Sequence, residues 1–328
     1  MANIRDIARE AGVGIATVSR YINGTGNVSE KNKTKIEEAI AVFNYKPNEL
    51  ARAIFSKNTK LIGLIVPNIS NPYFNELASI IEEYISSKGY SLFLCNANDD
   101  VEKEKNYINI LHGHRVAGII TVRNQLDIEY ISDTIPVVSF EGFISEDIVT
   151  LETANYKGGQ MAFEHLYENG CKKLLHIQGP NYSNAIYDRM RGFVDSALRK
   201  NVSVTTVKFE TDFQRNMFEH NSKVLKGVEQ YDGIFVFNDI AAAIVIRYCK
   251  EQGIVIPRDL QVIGFDNSYI GEFLYPSLTT IEQSVYEVGK ILSETLIQII
   301  DGLEIKGKKI IIEPKLIIRE STKKDDSF

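Results

Sequence analysis

The sequence predicts an α/β protein with a small all-helical head at its N-terminal end and a larger body of two lobes built on parallel sheets. Residues 1–46 contain short amphipathic helical patterns and no strand-like run. From Leu61 onward, continuous apolar runs alternate with helical segments, and the same alternation restarts near Leu174. Buried strands separated by helices are typical of parallel sheets covered on both faces, so the two runs indicate two lobes.

The first twenty-three residues predict a helix-turn-helix. Ala8 allows two short helices to approach closely, Gly12 can adopt the positive φ that ends the first helix, and Val18 points into the small core. An ordinary helical hairpin would share this spacing. The opposite face of the second helix, where a DNA major groove would lie, carries Ile15, Ala16, Ser19, Arg20 and Asn23.

A third helix and a conditional fourth are predicted next. Ser29 is a suitable N-cap for a helix that Pro47 would stop, and its apolar stripe consists of Ile36, Ala39, Ile40 and Phe43. The segment Glu49–Phe55 is too short to be a stable helix alone, because isolated helices below about 12 residues are marginal in water. It would therefore fold only with a partner. A flexible linker explains the same residues equally well.

The charge distribution separates the head from the body. Residues 1–60 hold ten Lys or Arg and six Asp or Glu, a net charge of +4. The whole chain carries −6, so the remaining 268 residues carry −10. A basic head on an acidic body is expected when only the head contacts phosphate.

Composition limits the compartment and the class of protein. With 44% hydrophobic and 24% charged residues the chain is typical of soluble globular proteins, and it has no signal-peptide pattern and no membrane-length apolar run. We therefore predict a cytoplasmic protein without a membrane partner. Its widely spaced cysteines are predicted to be buried, reduced thiols: Cys95, Cys171 and Cys249.

The body is predicted to contain a helix around residues 74–85 and several buried strands. The predicted strands are Leu61–Val66, Leu92–Leu94, Gly118–Val122, Val137–Phe140, Leu174–Ile177, Gly233–Phe237 and Val262–Phe265.

Polar residues follow three of these strands, and ligands of such folds bind beyond the carboxyl ends of strands. They are Glu141, Asn238-Asp239 and Asp266-Asn267. Arg189 is predicted to open a helix after the Gly179-Pro180 turn. Acids, amides, an arginine and aromatic rings suit a polyhydroxylated ligand. Helix capping explains Asn238 and Asp266 equally well, and it is the favoured role of Asp239.

Motifs for catalysis are missing from the sequence. It contains no P-loop, no G-x-S-x-G, no H-E-x-x-H and no dinucleotide-binding glycine pattern. We therefore expect no enzyme activity and no cofactor. His112 and His114 are interpreted as surface residues rather than metal ligands, and Gly158-Gly159 as a site of close helix packing.

Ordered motifs along nearly the whole chain resemble the lac-repressor family of bacterial transcription regulators. The matching stretches are Asp6–Ala8, Ala11–Val13, Ala16–Arg20, Asn44–Asn48, Ile62–Pro67, Asn71–Phe74, Arg189–Phe193, Phe237–Asp239, Val262–Asp266 and Leu278–Gln283. The resemblance implies a body like that of periplasmic binding proteins. It also implies a homodimer that binds double-stranded operator DNA, controls carbohydrate-utilisation genes and responds to a sugar or sugar phosphate between the lobes.

The resemblance also assigns domains and site residues. It implies a DNA-binding domain over 1–46, a hinge helix and linker over 47–60, and an effector-binding and dimerisation domain over 61–328. The implied DNA contacts are Ile15, Ala16, Thr17, Ser19 and Arg20 towards bases or nearby phosphate, Asn23, Ser29 and Tyr45 towards the backbone, and Ile54 as a minor-groove wedge. The implied effector residues are Tyr73, Phe74, Glu141, Arg189, Phe213, Asn238, Asp266 and Gln283, with Phe74 and Phe213 flanking the ring.

The chain departs from the family pattern at four places. Gly14 replaces the usual capping Ser, Ile54 replaces the usual Leu wedge, and Ala154 replaces the Asp that commonly precedes the residue matching Asn155. The tail from Arg319 has no leucine heptad, which favours a dimer over a tetramer.

Three alternative functions remain open at this point. A global regulator of the same fold, dependent on a co-repressor or a phosphoprotein, fits the same residues. A solute-binding protein would need a signal peptide, and a sugar-processing enzyme would need a nucleophile paired with a base.

Overall fold

The computed structural model describes residues 2–23, 26–45, 59–122, 134–142, 144–179, 183–209, 216–305 and 309–323. The chain divides into two compact units, Met1–Thr59 and Lys60–Phe328, which we call the head and the body. Each is described by itself.

Three helices form the head: α1 (Ile4–Ala11), α2 (Ile15–Asn23) and α3 (Glu30–Phe43). The side chain of Asn3 accepts from the N–H groups of Arg5 and Asp6, and the Asp6 carboxylate accepts from the N–H of Asn3. This capping box starts α1. Gly12 ends the helix with a φ of 61°, which confirms the predicted left-handed turn.

A compact apolar core joins the three helices of the head. Its buried members are Ile7, Ala8, Ala11, Val18, Ile36 and Ala39. The expectation that Phe43 belongs to this core was wrong, because its side chain is 40% exposed. Helix α3 ends immediately after it, at the left-handed Asn44 with a φ of 44°. The segment predicted as a conditional helix, which includes Ile54, lies outside the described residues.

The body alternates strands and helices in chain order. Its elements are β1 (Leu61–Val66), α4 (Pro72–Ser87), β2 (Ser91–Asn96), α5 (Val101–Gly113), β3 (Gly118–Val122), β4 (Val137–Phe140), β5 (Val149–Thr153), α6 (Asn155–Glu168), β6 (Lys173–Gln178), α7 (Asn184–Arg199), β7 (Ser203–Lys208), α8 (Met217–Ser222), β8 (Gly233–Val236), α9 (Asp239–Glu251), β9 (Gln261–Asp266), α10 (Ile270–Phe273), β10 (Thr279–Glu282), α11 (Val285–Ile300), β11 (Lys309–Ile312) and β12 (Lys315–Ile317).

Two six-stranded sheets define two lobes. The sheet of the N-terminal lobe has the order β11-β5-β4-β3-β1-β2 and is parallel throughout. The sheet of the C-terminal lobe has the order β12-β10-β9-β8-β6-β7, and its only antiparallel pair among the described residues is β10 with β12. The mixed α/β class with two parallel sheets is therefore confirmed, and each of the seven predicted strands is present.

Within the described residues, the chain passes between the lobes three times: after β5, between β10 and α11, and between β11 and β12. The first passage contains Ala154, and the second contains Gln283. The side chain of Gln283 contacts both lobes, because it bonds Thr153 at the end of β5 and Asp266 at the end of β9.

Helices α6 and α7 of the C-terminal lobe approach each other at the level of their backbones. A Cβ atom added to Gly159 would lie 2.0 Å from the carbonyl oxygen of Arg189, and one added to Gly192 would lie 1.9 Å from that of Tyr156. The predicted role of Gly158-Gly159 in close helix packing is confirmed. Gly158 itself faces the ring of Phe265, whose Cε2 atom would lie 2.7 Å from an added Cβ.

The three cysteines are free and buried, as predicted. Burial raises the pKa of each thiol, Cys95, Cys171 and Cys249, to about 12. Among the helices of the described residues, none combines the length and apolar character needed to cross a bilayer.

Candidate functional site

Helix α2 presents a mostly small and apolar exposed face with one cation. Ile15 is 47% exposed, and Ala16 and Arg20 are exposed as well. Thr17 and Ser19 are half-buried at the edges of this face. The N–H groups at the start of α2 bind the carbonyl oxygen of Gly14, so the backbone of this residue begins the helix without a capping side chain.

The other predicted DNA-facing residues of the head lie at the end of α2 and on either side of α3. Asn23 is the last residue of α2. Ser29 is exposed and stands at the N-cap position of α3, as predicted, although its side chain makes no capping hydrogen bond. Tyr45 is half-buried against the core, and its N–H binds the carbonyl oxygen of Ile40.

In the body, a buried arginine marks the junction of the lobes. Arg189 is 1% exposed, and its Nε donates to Oδ1 of Asn155 at 2.8 Å. Its Nη1 donates to the carbonyl oxygen of Phe237 at 2.9 Å and lies 3.5 Å from Oδ1 of Asp266. The guanidinium carbon stands 3.6 Å above the ring centroid of Phe265. These four contacts hold the guanidinium in one orientation.

Arg189 does not open its helix as predicted. Helix α7 begins at Asn184, where the Ser183 side chain caps it by accepting from Ala185, so the arginine lies in the second turn.

Glu141 supplies a carboxylate from the end of β4. Its backbone is left-handed, with a φ of 56°. The carboxylate accepts from the N–H of Thr153 at 2.9 Å and from Nδ2 of Asn155 at 2.9 and 3.0 Å. Burial raises the pKa of Glu141 above its ordinary value, against the opposing effects of the Arg189 charge and these hydrogen bonds.

Gln283 completes a closed set of polar contacts from the second passage between the lobes. Its Nε2 donates to Oδ1 of Asp266 at 2.5 Å, and its Oε1 accepts from the hydroxyl of Thr153 at 3.1 Å. Six residues are thus linked in a cycle, which we call the polar ring: Glu141, Asn155, Arg189, Asp266, Gln283 and Thr153.

Two predicted aromatic residues lie at the N-terminal lobe's side of this ring. The hydroxyl of Tyr73 donates to the carbonyl oxygen of Gln283 at 3.4 Å. Tyr73 and Phe74 are each 2% exposed, and their rings meet edge to face at 5.5 Å between centroids. Phe213 lies outside the described residues.

The residues after β8 have roles that differ from one another. Asn238 caps α9, because its Oδ1 accepts from the N–H of Ala241 at 2.8 Å. The interpretation of Asp239 as a simple cap was wrong: its carboxylate binds Ser268 and Thr280 inside the C-terminal lobe. Burial and the nearby Asp266 raise the pKa of Asp239 to about 7. Asp266 has a φ of 110° and caps no helix in the described residues; its carboxylate is part of the polar ring, where it accepts from Gln283.

Sequence reasoning missed three contributors to the site, Thr153, Asn155 and Phe265. Thr153 is the last residue of β5, and the sequence pattern did not predict this strand. The position of Thr153 at the first passage between the lobes could therefore not be predicted either. Phe265 precedes Asp266 on β9, and its role as a platform under the guanidinium depends on a neighbouring helix.

The polar ring offers carboxylates as acceptors, and a guanidinium and amides as donors, beside aromatic rings. A ligand with several hydroxyl groups can use both kinds of partner, because each hydroxyl donates and accepts. In the part of the chain that the structure describes, no group of three or more His, Cys, Asp or Glu side chains is arranged to hold a metal ion.

Comparison with known proteins gives two family matches. Residues 3–48 match the model of bacterial regulatory proteins of the lacI family, and residues 163–322 match a periplasmic binding protein-like domain. The ribose operon repressor of Halalkalibacterium halodurans is 36% identical over 98% of this chain and 98% of its own length.

Two solved structures extend the comparison. A periplasmic binding protein/LacI transcriptional regulator from Alkaliphilus metalliredigens, complexed with D-xylulofuranose, is 53% identical with a TM-score of 0.78, over 81% of this chain and all of its own. The lac repressor dimer bound to operator and the anti-inducer ONPF has a TM-score of 0.85 at 24% identity, over 98% and 99% of the two chains, and shares the fold.

Proposed function

The chain belongs to the lacI family of bacterial regulatory proteins, and on that premise we propose that it is a homodimeric repressor whose operator affinity is set by a small ketose bound at the polar ring. The genes that it controls are those of carbohydrate utilisation, in line with the relative that is named a ribose operon repressor. Repression of this kind takes place in the cytoplasm and requires no catalytic step.

One observation carries the choice of effector. The polar ring surrounds a buried guanidinium at the junction of the lobes, and a 53% identical structure with the same fold holds D-xylulofuranose. A five-carbon ketose in its furanose form carries several hydroxyl groups around a small ring and also has apolar C–H surface. It therefore matches a site with acceptors on both edges and donors between them.

Each residue has a proposed role towards this sugar. Arg189 donates to hydroxyl oxygens, and Glu141 and Asp266 accept hydroxyl hydrogens. Tyr73, Phe74 and Phe213 are proposed to provide the aromatic rings that contact the apolar face of the sugar. Asn238 and Gln283 complete the polar lining, Asn238 while capping α9.

The head is proposed to read the operator. Ile15, Ala16, Thr17, Ser19 and Arg20 face the bases or adjacent phosphates of the major groove. Asn23, Ser29 and Tyr45 position the backbone, and Ile54 is the minor-groove wedge. In domain terms, residues 1–46 bind DNA, 47–60 form the hinge and linker, and 61–328 bind the effector and dimerise.

Calorimetric titration of the full chain with D-xylulose tests the effector assignment. Arg189→Lys keeps the positive charge beside Asp266 but loses the planar fork that reaches both Asn155 and Phe237. Losing a hydrogen bond to a charged group costs about 1.5–3 kcal/mol, so the affinity should fall roughly 10- to 150-fold.

The matched control is Arg191→Lys, two residues after Arg189 on the same helix. The Arg191 side chain is 50% exposed and pairs only weakly with Asp188 at 3.3 Å. The Arg191→Lys variant should bind D-xylulose with the affinity of the wild type. Absence of binding heat for D-xylulose at millimolar concentration, or equal affinities for the two variants, would overturn the assignment.

A further inference from the structure

Asn155 lies between oppositely charged side chains that belong to different lobes. It is 4% exposed and begins α6, directly after the first passage between the lobes. Its Oδ1 accepts from Nε of Arg189 on α7, and its Nδ2 donates to both carboxylate oxygens of Glu141 in the N-terminal lobe. A third contact, from Nδ2 to the carbonyl oxygen of Thr153, fixes the amide plane.

The chemistry at this position requires an amide of this length. The carboxylate of Glu141 needs a donor, and the Nε–H of Arg189 needs an acceptor. A carboxylate at position 155 would satisfy the arginine but would face Glu141 at hydrogen-bond distance with like charge. An apolar side chain would remove the acceptor of the Arg189 Nε–H and the side-chain donor to Glu141. The two charged groups would keep their other partners, Phe237 and Asp266 for the arginine and the N–H of Thr153 for the glutamate.

Packing around Asn155 makes one of these contacts rigid and the other variable. Helices α6 and α7 touch through Gly159 and Gly192, so Asn155 and Arg189 move together as parts of the C-terminal lobe. Glu141 is attached to β4 in the other lobe. The contact between Asn155 and Glu141 is therefore the one that changes when the lobes move.

We propose that Asn155 is a positioning residue: its hydrogen bonds set the separation of Glu141 and Arg189 while the lobes keep this arrangement, and so tie sugar affinity to that arrangement. The inference rests on the proposed function, since it requires the sugar to bind at the polar ring. Asn155 acts through its charged neighbours. The charged groups that surround it are Glu141, Arg189, and Asp266 on the far edge of the guanidinium.

The test is the pH profile of D-xylulose affinity for Asn155→Asp, measured by calorimetry on the full chain at pH 8.0 and pH 5.5. Two carboxylates in contact share one proton as the pH falls. Once the Glu141 carboxyl group and the new carboxyl group at position 155 share a proton, they can form a hydrogen bond with each other, and the group at position 155 can still accept from Arg189. The variant should therefore bind D-xylulose weakly at pH 8.0, and its affinity should be about tenfold higher or more at pH 5.5. Uptake of one proton can change the affinity by at most about tenfold per pH unit.

The wild type should show the opposite or no trend, because burial raises the pKa of Glu141 and its protonation removes an acceptor. Asp239, whose pKa burial and the nearby Asp266 raise to about 7, titrates in both proteins, so the comparison of variant with wild type removes its contribution. The matched control is Asn169→Asp at the other end of α6, where the side-chain amide bonds His165 and no member of the polar ring among the described residues. It should follow the wild-type profile at both pH values.

A second variant keeps the test decisive if Asn155→Asp folds poorly. In Glu141→Gln combined with Asn155→Asp, donor and acceptor are exchanged across the contact without a like-charge pair. Its affinity should exceed that of Asn155→Asp at pH 8.0, and the gain at low pH should vanish.

The outcomes separate the two proposals. A wild type that fails to bind D-xylulose overturns the proposed function and this inference with it. A wild type that binds, together with an Asn155→Asp variant that binds equally well or is equally weakened at both pH values, overturns the inference alone.

Discussion

Replacing Gly192 with alanine is expected to push helices α6 and α7 apart. The added Cβ would lie 1.9 Å from the carbonyl oxygen of Tyr156, 2.8 Å from its carbonyl carbon and 3.1 Å from the backbone nitrogen of Gln160. All three atoms are backbone and cannot rotate away. Since favourable contacts lie near ~3.5 Å, the helices must separate by more than about 1 Å.

The consequences for stability and binding follow from this contact. Overpacking of this kind costs about 1–3 kcal/mol, and the upper end applies because the obstacle is backbone. At roughly 2–4 °C per kcal/mol, a 3 kcal/mol loss lowers the melting temperature by about 6–12 °C. The separation also stretches the 2.8 Å bond between Arg189 and Asn155, so the affinity for D-xylulose should fall about 10- to 150-fold.

Differential scanning calorimetry and sugar titration measure both effects on the full chain. The control is Gly113→Ala at the end of α5, where an added Cβ meets nothing within 4 Å. A compatible Gly→Ala change stabilises by about 0.4–1 kcal/mol, so this variant should melt at or slightly above the wild-type temperature. The reasoning is refuted if Gly192→Ala melts with the control and binds D-xylulose normally.

Three further outcomes are expected. Arg20→Ala should weaken operator binding. If the lost contact is to a phosphate, the slope of log affinity against log salt concentration should become shallower by about 0.9; if it is to a base, selectivity for that base should fall and the slope should stay unchanged. Wild-type affinity and selectivity would exclude both roles. His176 is fully buried, its Nε2 has no partner among the described residues, and burial lowers its pKa to about 4. Between pH 6.5 and 4 the free energy of unfolding of the wild type should therefore fall by up to ~3 kcal/mol relative to that of His176→Phe. Urea unfolding at each pH measures this difference, and a difference between the two proteins that does not change with pH would contradict the prediction. The thiols of Cys95, Cys171 and Cys249 should resist iodoacetamide in the folded protein and react in urea; rapid labelling of the native chain would show that they open to solvent.

The sign for His176 follows from which state holds the proton. Between pH 4 and 6.5 the unfolded chain protonates this imidazole and the folded chain does not. Stability contributed at this position is therefore present at neutral pH and is lost as the pH falls.

The fold class could be read from the sequence because its core strands are continuous apolar runs. Strands such as β1 and β3 are buried along their length, and their predicted bounds agree with the structure. Strand β7 lies at the edge of its sheet and has only exposed and half-buried residues, so it lacks that pattern. The short strands β10, β11 and β12 have only three or four residues each and pair with strands that are distant in sequence or lie across a passage between the lobes, which local pattern does not encode.

The candidate site was predictable only where a polar residue follows a recognised strand. Glu141 and Asp266 satisfied that rule. Asn155 did not, because its importance depends on two partners that lie 14 residues before it and 34 residues after it. The prediction for Phe43 was wrong although its local pattern is clear. Its spacing fits the apolar stripe of α3, but the helix ends at that turn and leaves the ring exposed.

The central claim is that one homodimer couples a sugar at the polar ring to operator DNA. The most direct measurement is the affinity of the full chain for an operator selected from random duplex DNA, by fluorescence anisotropy with and without saturating D-xylulose. We predict a change of about 5- to 150-fold in operator affinity, the usual range of allosteric coupling. An unchanged operator affinity under conditions where calorimetry shows the sugar bound would contradict the claim.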